Sequence, residues 1–362
     1  MEGERIFMKN KKRLAKLIFV AILLLIIWYT FKDSAGDIVA QLQKTSFAVL
    51  VAIMAATVIY HLFEAWITYS LARRYNPKFK FREAVYCAFN CSFYRLSTLG
   101  SGSGVAAIVY LGKKGVGYSE ATGLYMIQYM VHKVSVALFS GLLFILNWKV
   151  MSVNYREYGV YLGLAYVLTA IISIALIIFA VSAKSHQLIL WIVRKFNKSG
   201  KLTSALKKLE ESCDIMEKST SRLLKDVPSL ISMVLKNLAK LCFWYCIPFL
   251  ILFGTNEISI LDSLSITSLS VMSAAVIPTP AGVGAVELIM TNLFAVLVGV
   301  HKAGAITVLY RVATFIFPFV VGGVLILISK LVVTVHSSHV FRYEELPGCI
   351  VMKGAPFCEQ KQ

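Results

Sequence analysis

The chain has 362 residues, of which 58% are hydrophobic and 15% are charged, and it carries a formal net charge of +18. Soluble domains carry about 25% charged residues, so this composition excludes an ordinary soluble protein and indicates an integral membrane protein. Because Lys and Arg collect in the cytoplasmic loops of membrane proteins, we use the positive charge to assign topology and expect no nucleic-acid partner.

Six hydrophobic stretches are each long enough to cross a hydrocarbon core of about 30 Å. They are 14–31, 46–71, 118–148, 158–182, 228–253 and 303–329. Residues 1–13 are basic, which places the N-terminus in the cytoplasm. A cleavable signal peptide is the alternative interpretation of 14–31, but the apolar run is long and no Ala-x-Ala-like site follows it. We therefore favour a retained anchor.

Residues 83–112 are predicted to form a hairpin that enters the membrane from the cytoplasm and returns. This moderately apolar segment is interrupted at Gly100–Gly104 and lies between two basic sequences, 72–82 and Lys113–Lys114. A single crossing would put one basic flank outside, whereas a re-entrant hairpin keeps both flanks in the cytoplasm. After the next span, residues 149–157 are predicted to be an outer loop.

Residues 184–226 form a basic insert with ten Lys or Arg and five Asp or Glu. Its amphipathic pattern is typical of a cytoplasmic helical hairpin lying near the membrane surface. A solvated linker explains the same composition, and both interpretations remain open.

Residues 263–300 are predicted to form a second hairpin, because Pro278–Gly284 interrupts this apolar region as well. Its flanks are poor in Lys and Arg, so it is expected to enter from the outside. Residues 330–362 are then a cytoplasmic tail.

The two membrane halves, 14–148 and 158–329, have the same order of elements: span, span, hairpin, span. We predict an all-α polytopic membrane protein with six spanning helices and two oppositely oriented re-entrant hairpins in an inverted repeat. Such paired breaks indicate a transport site near the middle of the membrane. Independent apolar helices with incidental glycines are the alternative.

The second break is the stronger candidate for a binding site. Its prolines lack backbone N–H groups and its glycines permit tight turns, so polar backbone groups are freed at membrane depth. The helix that follows would present N–H groups to an anion such as a lipid phosphate. Glu287 either caps this helix or contacts the ligand. The candidates here are Pro278, Thr279, Pro280, Gly282, Gly284 and Glu287.

Charged residues inside predicted spans supply further candidates, because each costs about 2.5–3.5 kcal/mol to insert and needs a partner. We predict a central polar cluster for a zwitterionic or anionic headgroup, with a purely structural ion-pair network as the alternative. Lys236 and Lys240 lie near the cytoplasmic end of their span, where they can snorkel to the surface, so no function is assigned to them. The cluster comprises Glu64, Arg95, Lys133, Glu287 and Arg311, and the first break adds Asn90, Ser101, Gly102 and Gly104.

No catalytic residue, metal ligand or cofactor is predicted. The sequence contains no HExxH or GxSxG motif and no Cys/His spacing typical of a metal site. Close packing of the backbone is the more ordinary interpretation of each single glycine.

The segments Ala275–Glu287 and Tyr310–Phe315, followed by Pro318, resemble the membrane region of bacterial lysylphosphatidylglycerol synthases/flippases and their stand-alone flippase-like relatives. That family has the sequence Pro-Thr-Pro-Gly-Gly-Val-Gly followed by Glu, and this chain has Ala281 in place of the first of these glycines. The similarity extends over roughly residues 10–330.

The resemblance implies a multi-pass protein of the bacterial plasma membrane, with both termini cytoplasmic, that moves an anionic or aminoacylated phospholipid between leaflets. Its alternatives are a phosphatidylglycerol lysyltransferase involved in resistance to cationic antimicrobials, and a membrane scaffold. Only about 33 residues follow the last span, which is short for a transferase domain. Assembly into a homo-oligomer is left open.

Overall fold

The computed structural model describes residues 45–98, 100, 102–182, 226–277 and 279–342, together with individual positions between 187 and 214. The predicted span 14–31, most of the insert 184–226, and the candidates Ser101 and Pro278 lie outside the described residues. Within the described part all regular structure is helical, as the sequence predicts.

We number the α-helices in chain order. In the first half they are α1 Phe47–Ala72, α2 Phe81–Ser97, α3 Gly102–Leu111, α4 Tyr118–Leu146, α5 Trp148–Asn154 and α6 Gly159–Val181. In the second half they are α7 Val227–Tyr245, α8 Ile247–Ile251, α9 Ile260–Ala274, α10 Ala285–Val298, α11 Val300–Arg311 and α12 Phe317–Arg342. Turns of π-helix at Gly112–Val116 and Val312–Ile316 follow α3 and α11, and short 3₁₀ turns lie at Arg156–Tyr158 and Pro280–Gly282.

Five helical segments in the described part are long and apolar enough to cross a membrane. They are Phe47–Ala72, Tyr118–Leu146, Arg156–Ile178, Val227–Ile251 and Val300–Ser329. These correspond to the last five predicted spans, and the protein is a multi-pass membrane protein.

The first interrupted region folds as a helical hairpin of α2 and α3, over residues 81–111. The carboxylate of Glu83 at the start of α2 forms an ion pair of 2.9 Å with Lys114, just after α3, so the two ends of the hairpin meet. Partial burial raises the pKa of Glu83, but the backbone N–H of Lys80 and the ammonium of Lys114 outweigh it and hold the pKa below its ordinary value. Gly100 makes the turn with φ +104°.

The second interrupted region forms a hairpin of α9 and α10, over residues 260–298. Glu257 before α9 and Lys302 after α10 form an ion pair of 2.6 Å, so this hairpin is also joined at its ends. The turn contains positive φ angles at Ala281, Gly282 and Gly284. Ala281 has a φ angle of +54°. The family that the sequence resembles has glycine at this position, and glycine adopts this conformation most readily.

Each half contacts the other half through its hairpin. Helix α1 packs on α7, α2 of the first hairpin packs on α12, and α9 of the second hairpin packs on α4. The α2–α12 contact is close because Gly322 faces the backbone of Phe89, and beside it the rings of Phe93 and Phe319 stack at 5.0 Å. Small residues permit this approach between helices in a membrane.

Helix α9 is buried although it is rich in serine. Ser263, Ser265, Ser268 and Ser270 are fully buried, and the Ser270 hydroxyl donates to the carbonyl of Ile266 at 2.7 Å. Short hydroxyl side chains can donate hydrogen bonds to backbone carbonyl groups of the preceding helical turn, and their small size leaves room for neighbouring helices. This helix therefore packs on α4, α7 and α10.

Replacing Gly322 with alanine tests the α2–α12 contact. The added methyl group meets the Phe89 carbonyl oxygen and lies 3.0 Å from Phe93 Cβ, so we expect a loss of about 1–3 kcal/mol in the free energy of unfolding. Gly304→Ala is the matched control, since nothing lies within 4 Å of its added Cβ. Thermal unfolding in detergent measures both variants, and equal stability of the two would contradict the contact.

Candidate functional site

A cavity of about 530 Å³ lies between the two halves and is lined by both hairpin turns. A Cβ placed on Gly100 would lie 3.2 Å from the backbone N of Ala281, so the two turns touch each other at its wall. Helices α1, α2, α4, α7 and α11 supply most of the remaining polar lining. The breaks that the sequence predicts independently in each half thus meet at one site.

One wall of the cavity carries an ion pair between the halves. Lys240 on α7 binds the carboxylate of Glu64 on α1, and Gln128 on α4 donates to the other carboxylate oxygen. Beside the pair, the rings of Tyr60 and Trp244 stack at 3.8 Å. Lys240 is only 1% exposed, so the prediction that it snorkels is wrong. The reason is that its partner lies on α1, which packs on α7 but is far from it in the sequence, so the spacing of residues along the chain gives no indication of the pair.

A second ion pair fixes Arg311 at the end of α11. Its Nε donates to Glu287 Oε1 at 2.7 Å, while Glu287 Oε2 accepts the backbone N–H of Gly284 at 2.8 Å. Glu287 therefore caps α10 and holds the arginine at the same time. Arg311 lines the cavity and is 8% exposed, and its Nη2 has no hydrogen-bond partner within the described part of the chain.

Two further cations line the cavity without an acidic partner among the described residues. They are Arg95, in the last turn of α2, and Lys133 on α4. The Lys133 ammonium lies 5.5 Å from the centre of the Tyr129 ring, a cation–π contact that compensates part of its charge. Both cations remain available to an anion that enters the cavity.

The five charged residues predicted as one cluster are thus arranged differently. Four of them line the cavity, but Glu64 and Arg311 each have their own partner, and Glu287 is not part of the lining. The structure contains the ion pairs of the structural interpretation, Lys240–Glu64 and Arg311–Glu287. Beside them lie the two cations of the binding interpretation, which have no acidic partner in the part of the chain that the structure describes.

The other predicted residues divide between the lining and the packing. Thr279 and Gly282 line the cavity, whereas Asn90, Gly102, Gly104 and Gly284 do not. Pro280 begins the 3₁₀ turn Pro280–Gly282, and its side chain lies outside the described part of the structure. A Cβ on Gly102 would lie 2.7 Å from Thr98 Cγ2, and one on Gly104 would lie 2.8 Å from Tyr125 Cε1. These two glycines therefore serve close packing beside the first break.

Sequence reasoning identified Glu64 on α1 but missed the other polar residues of this helix and their partners. His61 Nδ1 donates to the Thr57 carbonyl at 2.8 Å, and His61 Nε2 shares a hydrogen bond of 2.9 Å with the Ser92 hydroxyl. The spacing of Thr57, His61, Glu64 and Thr68, at three or four residues, places a polar stripe on one face of a spanning helix. That stripe was the feature of the sequence that could have indicated these residues.

Among the described residues, no group of three or more His, Cys, Asp and Glu side chains lies close enough to hold a metal ion. The polar atoms of the cavity suit an organic ligand with an anionic group. Cations, ring faces and a few hydroxyl groups converge there.

The chain matches one family of known proteins. The family described as the lysylphosphatidylglycerol synthase TM region matches residues 14–322. The chain belongs to this family. The matched residues include both hairpins and all the charged residues described in the cavity lining. The match confirms the resemblance seen in the sequence. A search of curated proteins found no match to the chain.

Replacing Glu64 with glutamine tests the ion pair between the halves. The change leaves Lys240 buried without a counter-charge, so we expect a loss of about 3–5 kcal/mol in the free energy of unfolding. Adding Lys240→Met removes the unpaired charge and should recover most of the loss. Thermal unfolding of the single and double variants in detergent measures both effects, and wild-type stability of Glu64→Gln alone would contradict the role of the pair.

Proposed function

We propose that this protein moves a phospholipid between the leaflets of the bacterial plasma membrane, with the headgroup passing through the cavity between the two halves. The observation that carries the proposal is that both hairpin turns and four cationic side chains meet at one cavity within a multi-pass membrane protein. Family membership adds that the family is connected with a lipid, lysylphosphatidylglycerol.

The proposal includes the membrane topology. Both hairpins are taken to be re-entrant, the first from the cytoplasm and the second from outside, in an inverted repeat with cytoplasmic termini. Ion pairs that join the ends of each hairpin support this arrangement, as does the reciprocal packing of α2 on α12 and α9 on α4. Non-helical backbone at membrane depth is tolerated where it lines a cavity, as these turns do.

A phospholipid headgroup in the cavity would exchange its contacts with water for contacts with the polar wall, while the acyl chains of the lipid stay in the bilayer. Arg311 is held in position by Glu287, so its guanidinium loses little conformational freedom when it binds a phosphate. The Arg95 and Lys133 side chains line the same cavity and would lower the cost of bringing the phosphate to membrane depth.

A second candidate is a phosphatidylglycerol lysyltransferase that contributes to resistance against cationic antimicrobials, and the observation that favours it is the word synthase in the family description. Purified protein incubated with lysyl-tRNA and phosphatidylglycerol tests it directly. Formation of lysyl-lipid by this chain alone would favour the transferase, and no product would leave translocation as the better proposal.

Reconstitution into liposomes tests the translocation. A fluorescent phospholipid is placed in both leaflets, and the fraction that a membrane-impermeant quencher reaches is followed over time. We expect Arg311→Ala and Glu287→Ala to slow the movement about tenfold or more, because each removes a charge-assisted hydrogen bond of the site.

The matched control is Lys302→Ala, which breaks another Lys/Arg–Glu pair at an exposed position away from the cavity. Size-exclusion chromatography and thermal unfolding verify that each variant is folded. Equal rates in wild type, Arg311→Ala and Glu287→Ala would contradict the proposal, as would a control that loses as much as they do.

A further inference from the structure

We propose that residues 312–318 form a hinge within the span Val300–Ser329, and that bending at this hinge opens and closes the contact between the two hairpin turns. The bending is a property of the fold and can be measured by itself. Its role in moving a headgroup rests on the proposed function.

The hinge interrupts a helix that crosses the membrane. Helices α11 and α12 form one span, and the π-helical turn Val312–Ile316 lies near its middle. In this turn the backbone N–H of Phe317 donates to the carbonyl of Val312, five residues back instead of four. Single turns of this kind are often found at functional sites and are among the recognised causes of helix kinks.

Two side chains weaken the helical pattern further. Pro318 has no backbone N–H, so it cannot donate to the carbonyl of Thr314 as another residue in an α-helix would. The Thr314 hydroxyl donates to the carbonyl of Tyr310 at 2.8 Å, and hydrogen bonds of this type often bend helices. Bending at this stretch therefore breaks fewer backbone hydrogen bonds than bending within a regular α-helix.

The helix before the hinge belongs with the second hairpin. Helix α11 packs on α10, and Arg311 at its end binds Glu287 on α10. Between the same two helices the Thr291 hydroxyl donates to the Thr307 hydroxyl at 3.1 Å. We therefore expect α10 and α11 to move as one body.

The helix after the hinge belongs with the first hairpin. Helix α12 packs on α2, where Gly322 faces the backbone of Phe89. Farther along the same contact, the hydroxyl groups of Tyr86 and Ser329 share a hydrogen bond of 3.1 Å. Helices α2 and α12 are thus a second body, and the hinge joins it to the first.

The two bodies carry the two turns that touch at the cavity. Gly100 follows α2 and Ala281 precedes α10, and a Cβ on Gly100 would lie 3.8 Å from that of Ala281. The hinge lies at the same place, because Thr314, Phe315 and Pro318 line the cavity. A bend of the span there would turn one hairpin relative to the other and separate the two turns.

Arg311 connects the hinge to the site. It is the last residue of α11, and its guanidinium lies 4.3 Å from the centre of the Phe315 ring, within the π turn. Arg95 lies on the other body, in the last turn of α2. Bending would therefore change the distance between the two guanidinium groups, and with it the shape of the cavity.

Hydrogen–deuterium exchange in detergent tests the hinge in the wild-type protein and in Pro318→Ala, which restores the backbone N–H. In the wild type we expect the amides of residues 312–317 to exchange faster than those of α11 and of residues 319–328. Pro318→Ala should slow the exchange of 312–317 about tenfold or more, because one backbone hydrogen bond is added. Unchanged or faster exchange in this variant would overturn the inference.

Pro228→Ala is the matched control for the loss of a proline. Pro228 is exposed and lies in the first turn of α7, where a backbone N–H has no partner within the helix. We expect this variant to leave the exchange of 312–317 at the wild-type rate. If it slowed the exchange as much as Pro318→Ala does, the effect would not be local and the hinge would be contradicted.

A cross-link between the turns tests the consequence for transport. Cysteines at positions 100 and 281 would have Cβ atoms about 3.8 Å apart, a separation that suits a disulfide. We expect Gly100→Cys/Ala281→Cys oxidised with diamide to lose most of its lipid movement in liposomes, and dithiothreitol to restore it. Each single-cysteine variant, treated in the same way, is the control. Movement as fast in the cross-linked as in the reduced protein would contradict the separation of the turns.

Failure of the hinge and failure of the proposed function give different results, because exchange is measured without any movement of lipid. If Pro318→Ala slows the exchange but the wild-type protein moves no lipid, the transport proposal alone is contradicted. If the wild-type protein moves lipid and Pro318→Ala leaves the exchange unchanged, the hinge alone is contradicted.

Discussion

In a hydrocarbon environment every backbone N–H and C=O group must find its partner within the protein, and this constraint governs the fold. Two stretches of this chain, at Gly100 and at 275–284, leave the helical hydrogen-bond pattern. Both stretches lie inside the protein, where they touch at Gly100 and Ala281. The spanning helices and the reciprocal hairpin contacts surround this meeting point, and the cavity lies beside it.

Electrostatics follow from the same environment. A lone charge is costly at membrane depth, and the protein compensates two of its cations with carboxylates from different elements. Lys240 and Glu64 join α7 to α1, whereas Arg311 and Glu287 join α11 to α10. The first pair connects the two halves and the second fixes the turn of one hairpin. Stability and the shape of the site therefore depend on the same side chains.

The composition, the spans and the interrupted hairpins were predictable because they depend on local features of the sequence. Hydrophobic length gave the five described spans, and proline and glycine marked both breaks. The predicted role of Glu287 as a cap was also local, since its partner Gly284 is three residues away. The motif around it was specific enough to indicate the family.

Partners across the structure were not predictable in this way. Lys240 lies 176 positions from Glu64, and the helical spacing on α7 alone indicates a lysine near the membrane surface. The sequence by itself determined the membrane class, the helical elements and the two breaks, because these depend on hydrophobicity and backbone chemistry over short distances. Only the tertiary structure decided which charges are paired and which remain at the cavity, because pairing depends on how α1, α2, α4, α7 and α11 pack together.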